Sequence, residues 1–108
     1  MMRNVTLSDD QAGALAEMFR LMGDPSRLRI LLCCLPAPRA VGDIARATGL
    51  PQTLVSHHLR LLRTGHILRA ERHGREVHYS VADDHVATTL AAMLAHSGEP
   101  RRRAKAAA

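Results

Sequence analysis

Aromatic side chains are almost missing from this sequence, which has one Tyr, one Phe and no Trp in 108 residues. A core must therefore be assembled from Leu, Ile, Val, Ala and Met, and an aliphatic core suits packed helices. Lysine is just as scarce: of fifteen basic residues only Lys105 is Lys and the rest are Arg. Cysteine is confined to the neighbours Cys33 and Cys34. Side chains one residue apart on a helix diverge, and both sit in an apolar run, so they read as inert core thiols, with redox activity as the alternative. That run, Ile30 to Leu35, is the longest apolar stretch and is far too short to span a bilayer. The segment Met1 to Asp10 has no apolar leader. These absences predict a cytoplasmic protein with no membrane partner. Phosphate-binding loops, nucleophile motifs and a second, cleft-forming domain are missing too, which argues against an enzyme.

What is present fits one small domain. Hydrophobic residues make up 46% of the chain, enough for a core, and a chain this short gains from sharing that core with a second copy. The net charge is +5 and the isoelectric point about 10.6. A basic domain points to nucleic acid or an anionic surface, and Arg forks onto phosphate and guanine better than Lys does. A high-GC codon bias also favours Arg and Ala, so charge alone decides little.

The hydrophobic pattern predicts four helices, a hairpin and a last helix. Ser8 caps the first, with Asp9 and Asp10 at its positive end and Leu15, Met18, Phe19 and Met22 as its apolar stripe to about Met22. Asp24-Pro25 opens the second, which runs to about Leu35, where Pro36 and Pro38 force a loop. A short helix spans 41–48 and stops at Gly49, and another runs from Pro51 to about Thr64 before Gly65. Residues 67–72 and 76–81 read as strands joined through His73-Gly74-Arg75. The final helix starts near Asp83 and reaches about Ser97, with Val86, Leu90, Met93 and Leu94 apolar. This is a mainly α chain with a β-hairpin wing: an arm at 1–7, a winged helix-turn-helix domain at 8–97 and a flexible basic tail at 98–108.

The segment 41–62 carries the strongest fold signal. Ala45 is small enough for two helices to cross closely, Gly49 suits a tight turn with positive φ, and Val55, Leu59 and Leu62 seat the second helix. Gln52, Thr53, Ser56 and His57 are left to face base edges or nearby phosphates of double-stranded DNA, and Arg60 and Arg63 to face phosphate. His58 stays open between the DNA face and the underside of the helix. The basic hairpin tip, Arg72, His73 and Arg75, is placed to reach the minor groove or backbone; a merely solvated turn is the alternative.

Asp24-Pro-Ser-Arg-Leu-Arg-Ile-Leu, Val55-Ser-His-His-Leu-Arg-Leu-Leu and Gly74-Arg-Glu-Val-His-Tyr-Ser-Val resemble the ArsR/SmtB family of metal-responsive repressors, over residues 10–99. The resemblance implies a homodimer built through the first and last helices, bound to an inverted-repeat operator until an inducer weakens that grip. It also marks a candidate metal site. Asp83-x-His85, then ten residues, then His96-x-x-Glu99 resembles the C-terminal-helix site of the zinc and cobalt sensors, and that pattern, not helix geometry, chooses Asp83 over Asp84. In similar sensors the second helical His bonds a backbone carbonyl near the position of His66, so His66 is the expected link from metal to DNA-binding helix.

Helix geometry adds a constraint of its own. Positions 85 and 96 lie within ~20° around the axis, yet ~16–17 Å apart along it. Metal–ligand bonds are only ~2.0–2.2 Å. One chain cannot close such a site; two antiparallel copies can. Two nitrogens and two oxygens suit Zn(II), or Co(II), with Ni(II) conceivable if further ligands join. Arsenic- and cadmium-sensing members of the family it resembles carry cysteines near the start of the first helix of the helix-turn-helix; the matching stretch Arg39–Asp43 holds no Cys, so the resemblance does not imply a thiolate site. The readings left open are a metal-independent, redox-responsive regulator of the same fold and a dimer whose zinc is structural. Asp83 and Asp84 as simple helix caps, with His96 and Glu99 solvated, are the plainest alternative.

Overall fold

The computed structural model describes residues 6–100, so the N-terminal arm is described only from Thr6 and the tail only to Pro100; the rest of both expectations lies outside the described residues. The order is α1 (Asp9–Met22), α2 (Pro25–Cys34), β1 (Arg39–Ala40), α3 (Val41–Thr48), α4 (Gln52–Thr64), β2 (Leu68–His73), β3 (Glu76–Val81) and α5 (Asp84–Gly98).

Local chemistry sets the boundaries. Ser8 and Gln11 form a reciprocal capping box at α1. Asp24 accepts the Arg27 N–H at 3.0 Å, with Pro25 in the first helical position. Gly49 takes φ 73° and donates to the Ala45 carbonyl at 2.9 Å, ending α3 in the left-handed conformation expected of it. The end of α4 departs from the simplest expectation. Gly65 has an ordinary φ of −80° and the left-handed residue is His66, at φ 61°. Gly65 leaves space instead: a Cβ there would stand 2.2 Å from Leu21 Cδ1, so a larger residue would have to push the Leu21 side chain aside where α1 crosses the end of α4.

Two boundaries differ from the sequence-based expectation. Residues 39–40 form a third strand, β1, giving the antiparallel order β1-β3-β2 with Ala40 opposite His78. The last helix runs one residue past Ser97, so Gly98, assigned to the tail, is helical. The hairpin itself stands where expected, closed by Gly74-Arg75 with Gly74 at φ 64°, the first-position glycine of a tight hairpin turn.

The core lies between α2, α3, α4 and the base of the hairpin, where Ile30, Leu31, Ile44, Val55, Leu59, Leu62 and Ile67 are fully buried. The outer helices contribute little to it: Leu21 is the one buried residue of α1 and Leu90 of α5. Their stripes stay open, with Phe19 55%, Met93 58% and Leu94 52% exposed. Leu28, Leu32, Leu90, Met93 and Leu94 border an apolar groove of about 290 Å³. Such a face is what a second chain would cover.

Candidate DNA face and metal centre

Burial divides α4 cleanly. Val55, His58, Leu59 and Leu62 face the core, whereas Gln52, Thr53, Ser56, His57, Arg60 and Arg63 are all exposed. The period of the buried set leaves the six polar residues on the outer and flanking surfaces, available to a duplex. The Thr48 hydroxyl donates to the Ile44 carbonyl at 2.7 Å and accepts from Leu50 N–H at 3.4 Å, bracing the turn between α3 and α4.

His58, left open by the sequence, is an underside residue. It is 8% exposed. The Arg27 Nη1 lies 3.5 Å from its Nδ1, and Arg27 Nε donates to the Leu21 carbonyl at 2.6 Å. Burial first, and the Arg27 guanidinium second, hold the His58 pKa below the usual imidazole range. Arg27 thus joins the end of α1 to α4, a link that separate helix patterns do not show. Asp24 stays ionised more readily than usual because its carboxylate accepts the Arg27 backbone N–H.

Tyr79 is a participant that the sequence did not announce. With Ser56, Arg60, Arg63 and His66 it lines a groove of about 460 Å³ between α4 and β3. Arginine, imidazole and hydroxyl groups border it without a carboxylate, which suits an anionic backbone. On the hairpin, Arg72, His73 and Arg75 are exposed at and beside the tip. Cys34 is buried, and burial pushes its thiol up to about 12. A thiol in that state is protonated at neutral pH and a poor redox centre; Cys33 is half-buried.

On α5, Asp83 is the N-cap, with extended backbone (φ −163°) and Oδ1 accepting the Val86 N–H at 3.0 Å. That hydrogen bond holds its carboxylate below the usual pKa. The non-helical start turns Asp83 to the side of His85, and Oδ1 lies 3.7 Å from His85 Nδ1. The His85 side chain is 97% exposed, so nothing among the described residues covers it. His96 and Glu99 are exposed at the far end, where Glu99, in extended conformation at the C-cap, donates its N–H to the His96 carbonyl at 3.1 Å. Among the described residues no three His, Cys, Asp or Glu side chains of one chain gather around a common point. The chain therefore brings Asp83 and His85 together as one half-set and leaves His96 and Glu99 at the opposite end of the helix. By donor chemistry each pair offers one imidazole and one carboxylate, and two such pairs, if brought together, would be a donor set of the kind Zn(II) or Co(II) accepts.

Comparison with known proteins places these features in context. The family described as "Bacterial regulatory protein, arsR family" matches residues 24–64. A "Transcriptional repressor SmtB homolog" from Synechocystis is 42% identical over 80 residues, covering 74% of this chain and 61% of the relative. The chain thus spans about three fifths of that protein's length. The "HTH-type transcriptional regulator NmtR" of Mycobacterium tuberculosis is 41% identical over 82% of this chain and 75% of its own. Among solved structures, the homodimeric winged helix-turn-helix domain of Mycobacterium bovis Mb0332 superposes with a TM-score of 0.77 at 28% identity, covering 94% of this chain and 99% of that one. The antimony-specific repressor AntR also gives 0.77, at 28% identity, over 90% of this chain and 88% of its own.

Proposed function

The chain belongs to the arsR family of bacterial regulatory proteins, and from that premise we propose that it is a homodimeric transcriptional repressor, not an enzyme, which holds an inverted-repeat operator and releases it when Zn(II) or Co(II) binds between two α5 helices. The observation that carries this reading is the half-site at the start of α5: a fully exposed His85 beside the capping carboxylate of Asp83, at 3.7 Å, with a second half-set at the other end. The uncovered apolar stripes of α1 and α5 support the dimer, and the similar domain of Mb0332 is homodimeric.

In this account Gln52, Thr53, Ser56 and His57 enter the major groove, Arg60 and Arg63 hold phosphates, and Arg72, His73 and Arg75 of the wing hold the flanking backbone. A bound ion supplies a tetrahedral point that draws on donors from two chains. The residues of the chain do the rest. Asp83 and His85 present one half-set, His96 and Glu99 of the partner chain the other, and antiparallel α5 helices fix how the two α4 helices are spaced. His96 keeps an outward N–H for the backbone near His66, which sits in the left-handed conformation directly after α4, its own N–H bonded to the Arg63 carbonyl at 3.0 Å. A shift at His66 therefore reaches the Arg-lined side of α4 within one hydrogen bond.

Because linkage is mutual, Zn(II) and DNA each weaken the other. Mobility shift on a duplex selected from a random library by the full chain tests this. Zn(II) is expected to weaken binding at least ~5-fold, and a chelator to restore it without melting the dimer. Unchanged affinity at saturating Zn(II) contradicts metal sensing, and a dimer that melts with chelator makes the zinc structural.

A further inference from the structure

The wing carries a charged cluster that has no part in the α5 site. The strand register sets Glu71 opposite His78 and His73 opposite Glu76. Opposed residues share a face, as do residues two apart, so all four side chains occupy one face of the hairpin. There His73 Nε2 lies 3.5 Å from the Glu71 carboxylate and His78 Nε2 3.3 Å from that of Glu76. The two imidazoles stack, with centroids 4.6 Å apart and planes 20° from parallel. The same face holds Arg69, 3.9 Å from Glu71 and donating to the Ser80 hydroxyl at 3.1 Å. From β1 it receives only the uncharged Ala40, opposite His78. Arg72 pairs with Val77 on the other face, and Arg75 stands in the turn. Each histidine thus lies beside a carboxylate and against the other ring, on the element that reaches toward DNA. Neither is needed to build the core, which meets this sheet on the opposite side, where Leu68 is buried.

We propose that this cluster makes the wing a proton sensor, a second input through which acidification tightens DNA binding independently of the α5 site. The proposal rests on the reading of the chain as a DNA-binding regulator whose wing meets the phosphate backbone. With both imidazoles neutral, the hairpin sets Arg69, Arg72 and Arg75 against Glu71 and Glu76, a small positive excess. Imidazole is the side chain whose ordinary titration falls between pH 5 and 8. An approaching phosphate favours a proton on either ring, so DNA binding and proton uptake favour each other. A proton held in each wing adds one positive charge there, two per dimer. Glu71 and Glu76 set the other side of the balance: at high pH they repel the backbone, and proton uptake by the neighbouring rings cancels that repulsion.

The test uses the full chain with chelator present, at fixed ionic strength, on a duplex selected from a random library, and reads the ratio of affinities at pH 6 and pH 8. Wild type is expected to bind roughly tenfold tighter at pH 6, the size of about one linked proton per dimer acting over one pH unit. H73Q/H78Q is expected to lose most of that gain, while His57 and His66, unchanged, still contribute whatever they contribute in wild type. E71Q/E76Q is expected to bind more tightly than wild type at pH 8 and to respond less to acid. Far-ultraviolet circular dichroism at both pH values verifies that the variants keep the hairpin, and a thermal midpoint does so independently. An H73Q/H78Q ratio equal to that of wild type overturns the proton sensor while leaving DNA binding intact. A wild type that binds no selected duplex at either pH overturns both readings.

Discussion

His96→Ala is expected to abolish Zn(II)-driven release while leaving metal-free DNA binding in place. Wild type should lose ~5–150-fold of its operator affinity at saturating Zn(II), the usual span of a coupling free energy, and the variant's ratio should fall to about one. His96 is exposed near the end of α5, so its truncation removes a donor and little packing. Titration calorimetry should show the binding of Zn(II) weakened along with the response. A finer variant separates ligation from coupling. His96→Cys keeps a donor atom but no outward N–H, so it should bind the ion and fail to release DNA. Release that persists in His96→Cys removes His66 from the route.

Ile44→Ala is expected to have the largest effect on the fold. Ile44 is the one buried residue of α3, a helix of 8 residues, and its side chain is fully enclosed by the main core. Removing its outer carbons forfeits burial and leaves a cavity, a change that costs about 2–5 kcal/mol. Against the ~5–15 kcal/mol that holds a domain of this kind together, that is a large share. Thermal unfolding at fixed chain concentration should show a midpoint lower by roughly 10–25 °C. DNA affinity should fall with it, because α3 fixes the angle at which α4 leaves the Gly49 turn. A midpoint within about 3 °C of wild type means that α3 is held by something other than its one core residue.

Much of this architecture is legible in the sequence because the local signals agree with the global fold. Ser8, Asp24 and Gly49 all cap where residue chemistry puts them, and Val55, Leu59 and Leu62 are buried at their helical spacing. Asp83 lies outside the helix, as a side-by-side placement with His85 requires. The elements that escaped have no local signal to read. A strand of two residues after Pro38 has no periodicity, and β1 exists because β3 offers an open edge. Gly65 reads only as the stop of α4; that Leu21, over forty residues earlier in the chain, packs into the space above it, and that His66 takes the left-handed turn, has no local signal.

The candidate sites divide along the same line. The α4 residues and the α5 donors follow from spacing within one helix. Tyr79 in the α4 groove, Arg27 against His58 and the stacked pair His73–His78 depend on register and tertiary packing, which bring together residues from different elements or from opposing strands. The apolar stripes of α1 and α5 are visible in both, but only the fold shows that one chain leaves them uncovered.

The shared metal centre is tested most directly by mixing two disabled chains. In D83A/H85A the first half-set is gone; in H96A/E99A the second is gone. Neither homodimer should bind Zn(II) tightly. A heterodimer of the two is predicted to regain one site per dimer, made from Asp83 and His85 of one protomer and His96 and Glu99 of the other, and equilibrium dialysis of the purified heterodimer should count one ion. A heterodimer that binds no ion, or a homodimer of either variant that binds one per chain, contradicts the account.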